Sequence, residues 1–438
     1  MIDHAYIRAL RNVPPALRVG HVRAVAPGHV EATGPLVSAG DLCDIETADG
    51  PVTAEVAALG RDAIILIPLE PEAVIAPHAR VVARAGRAQA PVGLGFCGRA
   101  VDAMGQPIDG SAPILPDKTQ ALQGRVLAPL DRDKGERVVE TGIRAIDALF
   151  TLGHGQRIGL FAASGVGKTT LMNDLANNVD CDRCVICLVG ERGREVEMLW
   201  RTLSTRKDLS RYCLVAATSD KSAPVRARAA WQALALAEFF RDRGEHVLFI
   251  VDSVTRFAMA LREIGLAAGA PPTLRAYTPN VFAALPRLVE RCGAARKGGA
   301  ITAIMTVLAE TDDVDDPIVE TMKSLLDGHI LLSRQLAEQG QYPAIDPLRS
   351  ISRQAIDLRS PSHNEAARRA SELLSLYDEA RIMIESGVHR AGANPRLDEA
   401  IAAHGPLLSF LKQSRGERSR FEESVRGLQR ATQKVAHA

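Results

Sequence analysis

The spacing of hydrophobic residues changes character along this chain of 438 residues. Between residues 19 and 90, short segments alternate apolar and polar positions and are separated by Gly, Pro and Asp. The clearest of these segments are residues 29–32, 41–47, 52–59 and 63–67. Alternation with a period of two, interrupted by turn residues, is typical of small all-β domains. We therefore predict a β-barrel over residues 19–90.

A second pattern runs from about residue 156 to residue 355. Continuous apolar runs alternate there with helical stretches, which is typical of an α/β fold with a parallel sheet. The Pro/Gly-rich residues 91–155 precede it. We assign residues 91–355 to this α/β domain.

The two ends of the chain show helical patterns. Residues 1–18 predict a short helix ended by Pro14 and Pro15, which would pack on the protein body or, less commonly, dock a partner or a lipid surface. Residues 356–438 predict a helical domain. Its last part mixes charges that we expect on a solvated helix face: Lys412, Arg415, Glu417, Arg418, Arg420, Glu422 and Glu423.

Residues 162–169, with the sequence AASGVGKT, have the layout of a phosphate-binding loop. A predicted strand over residues 157–161 and a predicted helix from Thr170 supply the context that this motif requires. Backbone N–H groups of the loop would face phosphates, Lys168 would reach the β- and γ-phosphates, and the Thr169 hydroxyl would ligate Mg²⁺. Position 162 is Ala, so the match is to the looser form of the motif. The predicted nucleotide-binding residues of the loop are Ala163, Ser164, Gly165, Val166, Gly167, Lys168, Thr169 and Thr170.

Two further predicted strands end in acidic residues. Residues 246–252 read HVLFIVD, a run that suits a strand buried on both faces and places Asp252 at its carboxyl end. A carboxylate there supports the metal in nucleotide hydrolases; the alternative is an Asp that caps the following turn. Residues 185–189 lead to Glu191 and Arg192. Glu191 would polarise the attacking water as a general base, and Arg192 would contact the γ-phosphate.

Composition narrows the classes of function. A chain of this length is expected to form about two or three domains. Lys and Arg total 53 and Asp and Glu total 52, which leaves a net charge of +1 and argues against a nucleic-acid binder. No apolar run reaches the roughly 18 residues that span a bilayer, and no signal peptide opens the chain. We expect a cytoplasmic protein, or one peripheral to a membrane.

Seven cysteines in such a chain indicate free thiols. Cys181, Cys184 and Cys187 have the spacing of an iron–sulfur run. The fourth ligand is absent because position 191 is Glu, and Cys187 lies inside an apolar strand. This disfavours a metal site at the three cysteines.

Several longer strings resemble the ATPase of the flagellar and type III protein-export systems, a relative of the catalytic subunit of F-type ATP synthase. The resemblance covers residues 20 to 435 and is carried by GRAVDAMGQPIDG (98–110), GERVVETGIRAIDALFTLGHGQRIGLFAASGVGKTT (135–170), GERGREVEMLW (190–200), ATSDKSAPVRARAA (217–230), VDSVTRFAMALREIGLAAGAPP (251–272), AYTPNVFAALPRLVERCG (276–293), LDGHILLSR (326–334) and QYPAIDPLRSISR (341–353). Strings in this order and spacing are highly specific. The resemblance implies an N-terminal β-barrel, a RecA-like P-loop nucleotide domain and a C-terminal helical domain.

The resemblance also implies ATP and Mg²⁺ as ligands and supports the roles given above to Lys168, Thr169, Asp252, Glu191 and Arg192. It adds two residues. Tyr342 would stack on adenine, the alternative being a packing aromatic in a loop. Arg353 would enter the site of the neighbouring subunit as an arginine finger, the alternative being a structural salt bridge. Such a finger contributes ~10³–10⁵ in rate.

The implied partners follow the family. They are further copies of the chain in a homohexamer, the regulator and stalk proteins of the export apparatus, chaperone–substrate complexes and the membrane export gate. The implied location is the cytoplasmic face of the inner membrane. Flagellar and virulence-type export both fit the sequence.

The chain departs from the family at Ala163 and Ala276, where Gly is common. Ala163 would slightly stiffen the phosphate loop, and Ala276 would alter the loop after the GLAAG string. Neither change removes a chemical group, so we expect catalysis to be retained and loop mobility to change.

The sequence disfavours three other functions. A rotary ATP synthase subunit is disfavoured because that enzyme divides the residues resembling Glu191 and Arg353 between two subunit types. A hexameric RNA translocase of the terminator type would carry exposed aromatics in its N-terminal fold, whereas residues 1–90 contain only Tyr6 among Phe, Trp and Tyr. A non-enzymatic nucleotide-bound scaffold is disfavoured by the intact set Lys168, Glu191 and Asp252.

Overall fold

A computed structural model describes residues 18–84, 88–133, 135–309 and 316–433. The chain forms two compact units: one comprises residues 1–126, 186–239 and 252–288, and the other residues 127–185, 240–251 and 289–438. The helix predicted over residues 1–18 lies outside the described residues, apart from Arg18.

The described strands and helices follow the predicted order of a β region, an α/β region and a helical region. The strands are β1 (Val19–Ala26), β2 (His29–Ala32), β3 (Leu42–Thr47), β4 (Gly50–Leu59), β5 (Ile64–Pro68), β6 (Arg80–Ala83), β7 (Gln89–Val92), β8 (Arg99–Val101), β9 (Lys118–Ala121), β10 (Val138–Val139), β11 (Leu152–Gly153), β12 (Arg157–Ala162), β13 (Arg183–Glu191), β14 (Tyr212–Thr218), β15 (His246–Asp252), β16 (Gly293–Ala294), β17 (Ala300–Leu308), β18 (Gly328–Leu332) and β19 (Ile351–Ser352). The α-helices are α1 (Arg144–Leu149), α2 (Lys168–Asn178), α3 (Gly193–Ser204), α4 (Ala223–Arg241), α5 (Val254–Ala267), α6 (Pro279–Glu290), α7 (Pro317–Leu325), α8 (Arg334–Glu338), α9 (Ala355–Leu358), α10 (Pro361–Glu385), α11 (Pro395–Leu411) and α12 (Phe421–Ala431).

Strands β1 to β6 close a barrel in the order β1-β2-β5-β4-β3-β6, which confirms the prediction from the alternating pattern. All six neighbouring pairs are antiparallel. Every second residue of β2 and of the first part of β4 is buried. Val30, Ile45 and Leu66 belong to the resulting core, and full burial of each such side chain contributes roughly 1.5–3 kcal/mol.

The rest of the first unit contains part of the parallel sheet. β14 lies between β13 and β8 and pairs in parallel with β8. β7 and β9 form a separate antiparallel pair. Helix α4 packs beside β7, because Arg228 and Gln232 donate to the carbonyl oxygens of Gln89 and Pro91.

The second unit contains parallel strands in the order β18-β12-β17-β15, with β19 antiparallel to β18 at one edge. Nearly every residue of β12, β15 and β17 is buried, as expected for strands covered on both faces. In parallel strands the carboxyl ends meet at one edge of the sheet. The phosphate-binding loop leaves β12 at that edge.

Three helices complete the second unit at its C-terminal end. Ser360 and Asn394 cap α10 and α11 with their side chains, each followed by Pro at the first helical position, where proline suits the start of a helix. Leu373 of α10, Leu407 of α11 and Leu428 of α12 are buried. In the part of the chain that the structure describes, no helix is long and apolar enough to cross a membrane.

The charged residues between α11 and α12 do not form the predicted helix face. Residues 412–420 are non-helical. Of the seven charged residues predicted to lie on a helix face, only Glu422 and Glu423 are in α12. Glu417 pairs with Arg144, and Arg418 pairs with Glu140 at 3.3 Å. The segment is therefore attached to the start of α1.

Candidate nucleotide site

The loop that joins β12 to α2 has the backbone of an anion-binding loop. Gly165 and Gly167 have φ values of 82° and 96°, in the left-handed region that favours glycine. Gly167 is the N-cap of α2, and it offers no side chain to the first amides of the helix. Those amides and the positive end of the helix dipole suit a phosphate.

The side chains of the loop divide into buried anchors and accessible groups. Ala163 and Val166 are buried, which fixes the loop to the sheet. Ser164 and Thr169 are exposed, and Lys168 is half-buried. Helix α2 begins at Lys168, two residues before the predicted start at Thr170. Lys168 and Thr169 are thus the first two residues of the helix.

Tyr342 lies beside this loop. A Cβ atom built at Gly167 would be 3.7 Å from the Tyr342 ring, and Tyr342 is 46% exposed. Both residues line a cavity of about 430 Å³, a volume that suits a small ligand such as a nucleoside. The other lining residues are Ile143, Val166, Thr170, Leu171, Asp174, Leu332, Gly340, Pro343, Ala344, Lys412, Gln413, Ser414 and Arg415. The structure therefore brings Tyr342 and the phosphate loop to one cavity, as the adenine role requires.

Residues 412–417, which we call the strap, were missed as part of this site. The backbone amide of Gln413 donates to the carbonyl oxygen of Tyr342 at 2.8 Å. The buried Gln413 side chain accepts from the Arg144 amide at 2.8 Å and donates to the Gly142 carbonyl at 2.7 Å. The amide of Gly416 hydrogen-bonds Asp174 of α2. The strap thus joins Tyr342, α1 and α2 around the cavity.

Glu191 lies in the first unit as the last residue of β13, and not beyond the strand as predicted. Its side chain is buried, and its Oε1 lies 3.6 Å from Nε of Arg256. A Cβ atom at Gly190 would be 3.1 Å from Cδ of Arg256, so glycine there leaves room for this arginine. Sequence analysis did not single out Arg256, although it lies in the VDSVTR string. Arg192 is exposed at the start of α3.

Asp252 also lies in the first unit, buried at the end of β15. The helix that follows is capped by Ser253, whose hydroxyl accepts from the Arg256 amide at 3.3 Å. Ser253, and not Asp252, therefore caps the following helix. Burial, and then Asp252, raise the pKa of the Cys187 thiol, which keeps Cys187 protonated.

The three cysteines with iron–sulfur spacing lie in and before β13. Cys184 and Cys187 are buried in β13, and Cys181 precedes the strand. Within the ranges that the structure describes, no group of three His, Cys, Asp or Glu residues could hold a metal ion.

Arg353 lies in the second unit, exposed, directly after β19. Its amide donates to the carbonyl oxygen of Asp327 at 2.9 Å, and its guanidinium donates to the carbonyl oxygen of Lys323 at 3.3 Å. Among the described residues, this guanidinium contacts a main-chain oxygen and forms no ion pair. The structural salt bridge is therefore not formed within the described chain.

The departure at Ala276 has a conformational consequence. Arg275 and Ala276 have φ values of 53° and 60°. The left-handed region costs a side chain with a Cβ atom roughly 1–2 kcal/mol, so glycine at position 276 would adopt this backbone conformation at a lower cost. The change affects the loop and removes no functional group.

Comparisons with known proteins agree with these features. Residues 142–352 match the ATP synthase alpha/beta family, nucleotide-binding domain, and residues 359–430 match the T3SS EscN ATPase C-terminal domain. The flagellum-specific ATP synthase of Bacillus subtilis (strain 168) is 44% identical over 94% of this chain and 94% of its own length. The type 3 secretion system ATPase of Xanthomonas euvesicatoria is 42% identical over 97% of this chain and 96% of its own length.

Solved structures give the same result. The assembled ATPase EscN from the enteropathogenic E. coli type III secretion system matches with a TM-score of 0.90 at 37% identity, over 94% of this chain and all of that one. EscN in complex with its central stalk EscO matches with a TM-score of 0.85 at 36% identity, over 94% of this chain and 100% of that chain. The barrel, the parallel sheet with its phosphate loop and the C-terminal helices, together with these relatives, show that the chain belongs to the family of flagellar and type III secretion ATPases.

Proposed function

We propose that this protein hydrolyses ATP with Mg²⁺ and couples the reaction to flagellar or virulence-type protein export. The observation that carries the proposal is the shared cavity of the phosphate loop and Tyr342. An anion-binding loop at one end and an accessible aromatic ring at the other match the two ends of a nucleotide. We propose that three domains carry out this function: the barrel at 19–90, the ATPase domain at 91–355 and the helical domain at 356–438.

The phosphate loop would bind the triphosphate through its backbone. Gly165, Val166 and Gly167 would direct amides at the phosphates, and the Lys168 ammonium would contact the β- and γ-phosphates. In the described part of the chain, no atom lies within 4 Å of the place where Gly165 would carry a Cβ atom. A charged group can therefore approach the backbone closely at this point.

The residues present suit a magnesium ion. Mg²⁺ binds through one or two protein oxygens and completes its shell with phosphates and water. The exposed Thr169 hydroxyl would ligate it, and Asp252 would support its water shell. When bound, the ion neutralises charge on the phosphates.

Glu191 would act as the general base. Its side chain is buried, and its Oε1 lies 3.6 Å from Nε of Arg256, so the surrounding protein restricts the movement of the carboxylate. A fixed carboxylate removes a proton from water more effectively than a mobile one, because its position is set before the reaction. Arg192 would contact the γ-phosphate.

Arg353 would complete the site of the next subunit in a homohexamer. It is exposed, its main-chain amide donates to the Asp327 carbonyl oxygen, and its guanidinium forms one 3.3 Å hydrogen bond with the described residues. In a ring each interface is heterologous and repeated, so one copy can supply Arg353 to the Glu191 side of another.

The partners proposed follow the relatives. A central stalk protein is the first, since EscN has been solved with its stalk EscO. We add an export-apparatus regulator, chaperone–substrate complexes and a membrane export gate, at the cytoplasmic face of the inner membrane.

The test is phosphate release by the purified chain as its concentration is raised through the range of assembly. We expect hydrolysis to require Mg²⁺, to stop with EDTA and to be unaffected by RNA. Specific activity should rise with concentration, because assembly completes the site by mass action. A specific activity that stays flat while light scattering shows monomers becoming oligomers would refute a site shared between subunits.

A further inference from the structure

The imidazole of His329 lies between the strand that leads to the phosphate loop and the segment that carries Arg353. Strand β18 pairs with β12 on one side and with β19 on the other. In these pairs His329 lies opposite Gly159 and Ile351. Gly159 precedes the phosphate loop closely, and Ile351 precedes Arg353 closely.

The His329 side chain contacts both neighbours. Its Nε2 lies 2.9 Å from the carbonyl oxygen of Arg349, and because a carbonyl only accepts, Nε2 carries a proton. Its ring meets the ring of Phe161 edge-on, with centroids 5.5 Å apart and planes at 69°. Phe161 is buried in β12 directly before Ala162. The His329 side chain therefore contacts both the segment that precedes Arg353 and the strand that precedes the phosphate loop.

The segment from residue 346 to residue 353 is held to β18 at several points. The Asp346 amide donates to the carbonyl oxygen of Leu331 at 2.8 Å, and the Leu331 amide donates to the Ser350 hydroxyl at 3.0 Å. Among the described residues, the Arg353 guanidinium has one hydrogen bond, 3.3 Å long, to the Lys323 carbonyl oxygen. The position of the guanidinium therefore depends on how this segment is held.

The His329 imidazole is uncharged at neutral pH, which suits its position near the Arg353 guanidinium. Burial lowers the pKa of His329, the bond to Arg349 partly offsets this, and the Lys323 and Arg353 cations lower the pKa further. At neutral pH the imidazole is uncharged, so it adds no repulsion near the guanidinium.

We propose that His329 is a positioning residue for Arg353, which links the segment that offers Arg353 to a neighbouring subunit with the strand that ends in the phosphate loop. The proposal rests on the function proposed above, in which Arg353 acts across the interface. Through His329, a shift of β12 on nucleotide binding would move the arginine that the subunit offers to its neighbour.

The first test compares two substitutions. His329→Ala should lower kcat about 10- to 100-fold, because small misplacements of a charge-stabilising group are costly. KM and ATP affinity should stay within about twofold, since His329 is not one of the residues proposed to contact the nucleotide. His329→Gln places an N–H donor near the same point and should recover most of the turnover. An increase in KM with unchanged kcat would overturn the proposal.

His363 provides a matched control. Its Nε2 lies 2.8 Å from the carbonyl oxygen of Ala148, and its ring meets Phe421 edge-on with centroids 5.8 Å apart. His363→Ala removes the same kinds of contact in a helix and should lower the thermal midpoint while kcat stays normal. Equal loss of kcat in both variants would show that His329 acts through stability alone.

Mixing separates action on the neighbour from action within the subunit. We mix His329→Ala with Glu191→Gln protein at low concentration and then allow assembly. At some interfaces the Glu191→Gln subunit supplies a well-placed Arg353 to an intact Glu191, so the activity should exceed the average of the two variants. If mixing gives no gain in activity, the proposed role of His329 is wrong. Near-normal hydrolysis by Arg353→Ala would instead refute the shared site itself, and with it this proposal.

Discussion

The backbone amide of Gln413 donates to the carbonyl oxygen of Tyr342 across 2.8 Å. The strap between α11 and α12 therefore holds the aromatic residue proposed to stack on adenine. The Gln413 side chain is buried and hydrogen-bonds the main chain at Gly142 and Arg144. The C-terminal helices are thus connected to the nucleoside end of the cavity through one glutamine.

Replacing Gln413 by Ala should weaken ATP binding. The substitution leaves the Arg144 amide and the Gly142 carbonyl without this partner, at a cost of about 1–3 kcal/mol per buried group. We expect KM for ATP to rise roughly 5- to 30-fold as the strap loosens, with kcat changed less. Steady-state kinetics measure both. Gln120→Ala, which removes one bond to the Ala235 carbonyl oxygen in the first unit, is the control. An unchanged KM in Gln413→Ala would show that the strap does not shape the site.

Lys168→Ala should abolish ATP hydrolysis and leave the fold intact. Lys168 is a half-buried residue at the first position of α2, and alanine is the best helix former. Circular dichroism and phosphate release on one preparation check both parts. Lys207→Ala, at an exposed position, is the control. If Lys168→Ala turned over ATP at a near-normal rate, the phosphate-loop assignment would be wrong.

Glu191→Gln should trap bound ATP. The amide keeps the shape of the side chain but is too weak a base to assist water, so turnover should fall by about 10²-fold or more. ATP affinity should persist. Glu197→Gln, which removes an exposed pair with Arg201, should have little effect on either quantity. A loss of affinity that accompanies the loss of turnover would assign Glu191 to structure or metal binding.

The stability of the protein should fall in acid because of His246. Its ring stacks on His154 with centroids 3.8 Å apart, and its Nε2 lies 2.8 Å from the Thr302 hydroxyl. Burial, and then His154, lower the pKa of His246 from 6.5 to about 4. Between these values the unfolded chain takes up a proton that the folded chain excludes, so the free energy of unfolding decreases as the pH falls through this window.

The expected loss between pH 7.5 and pH 5 is about 2 kcal/mol from His246. Urea unfolding at the two pH values measures it. His246→Gln keeps an acceptor for Thr302 and has no titrating group at this position. The loss in its free energy of unfolding between the two pH values should therefore be about 2 kcal/mol smaller than that of the unsubstituted protein. Histidines that do not contact His246, such as His329 and His363, contribute equally to both proteins. Identical pH dependence of the two would contradict the lowered pKa.

Much of the fold could be predicted from local patterns. The barrel strands have a period of two, and β12 and β15 are continuous apolar runs, so their types and approximate bounds follow from the sequence. The phosphate loop was predictable because Gly165, Gly167 and Lys168 lie within four neighbouring positions. Motifs of this kind carry their geometry in a few neighbouring residues.

The rest of the site depends on contacts between distant segments. Gln413 meets Tyr342 and Gly142 only after the chain has folded, and its neighbours in sequence are charged residues that suggest a solvated helix face. Arg256 was missed for a related reason: its contact with Glu191 joins the start of α5 to the end of β13. The spacing of hydrophobic residues does not predict contacts between segments that are far apart in the sequence.

The central claim is that one copy of this chain completes the site of another through Arg353. The most direct measurement is steady-state phosphate release by Arg353→Ala, with ATP affinity determined on the same protein. We predict that nucleotide still binds and that hydrolysis falls by about 10³-fold or more, because only the charge of the transition state loses a partner. Near-normal hydrolysis by Arg353→Ala would contradict the claim.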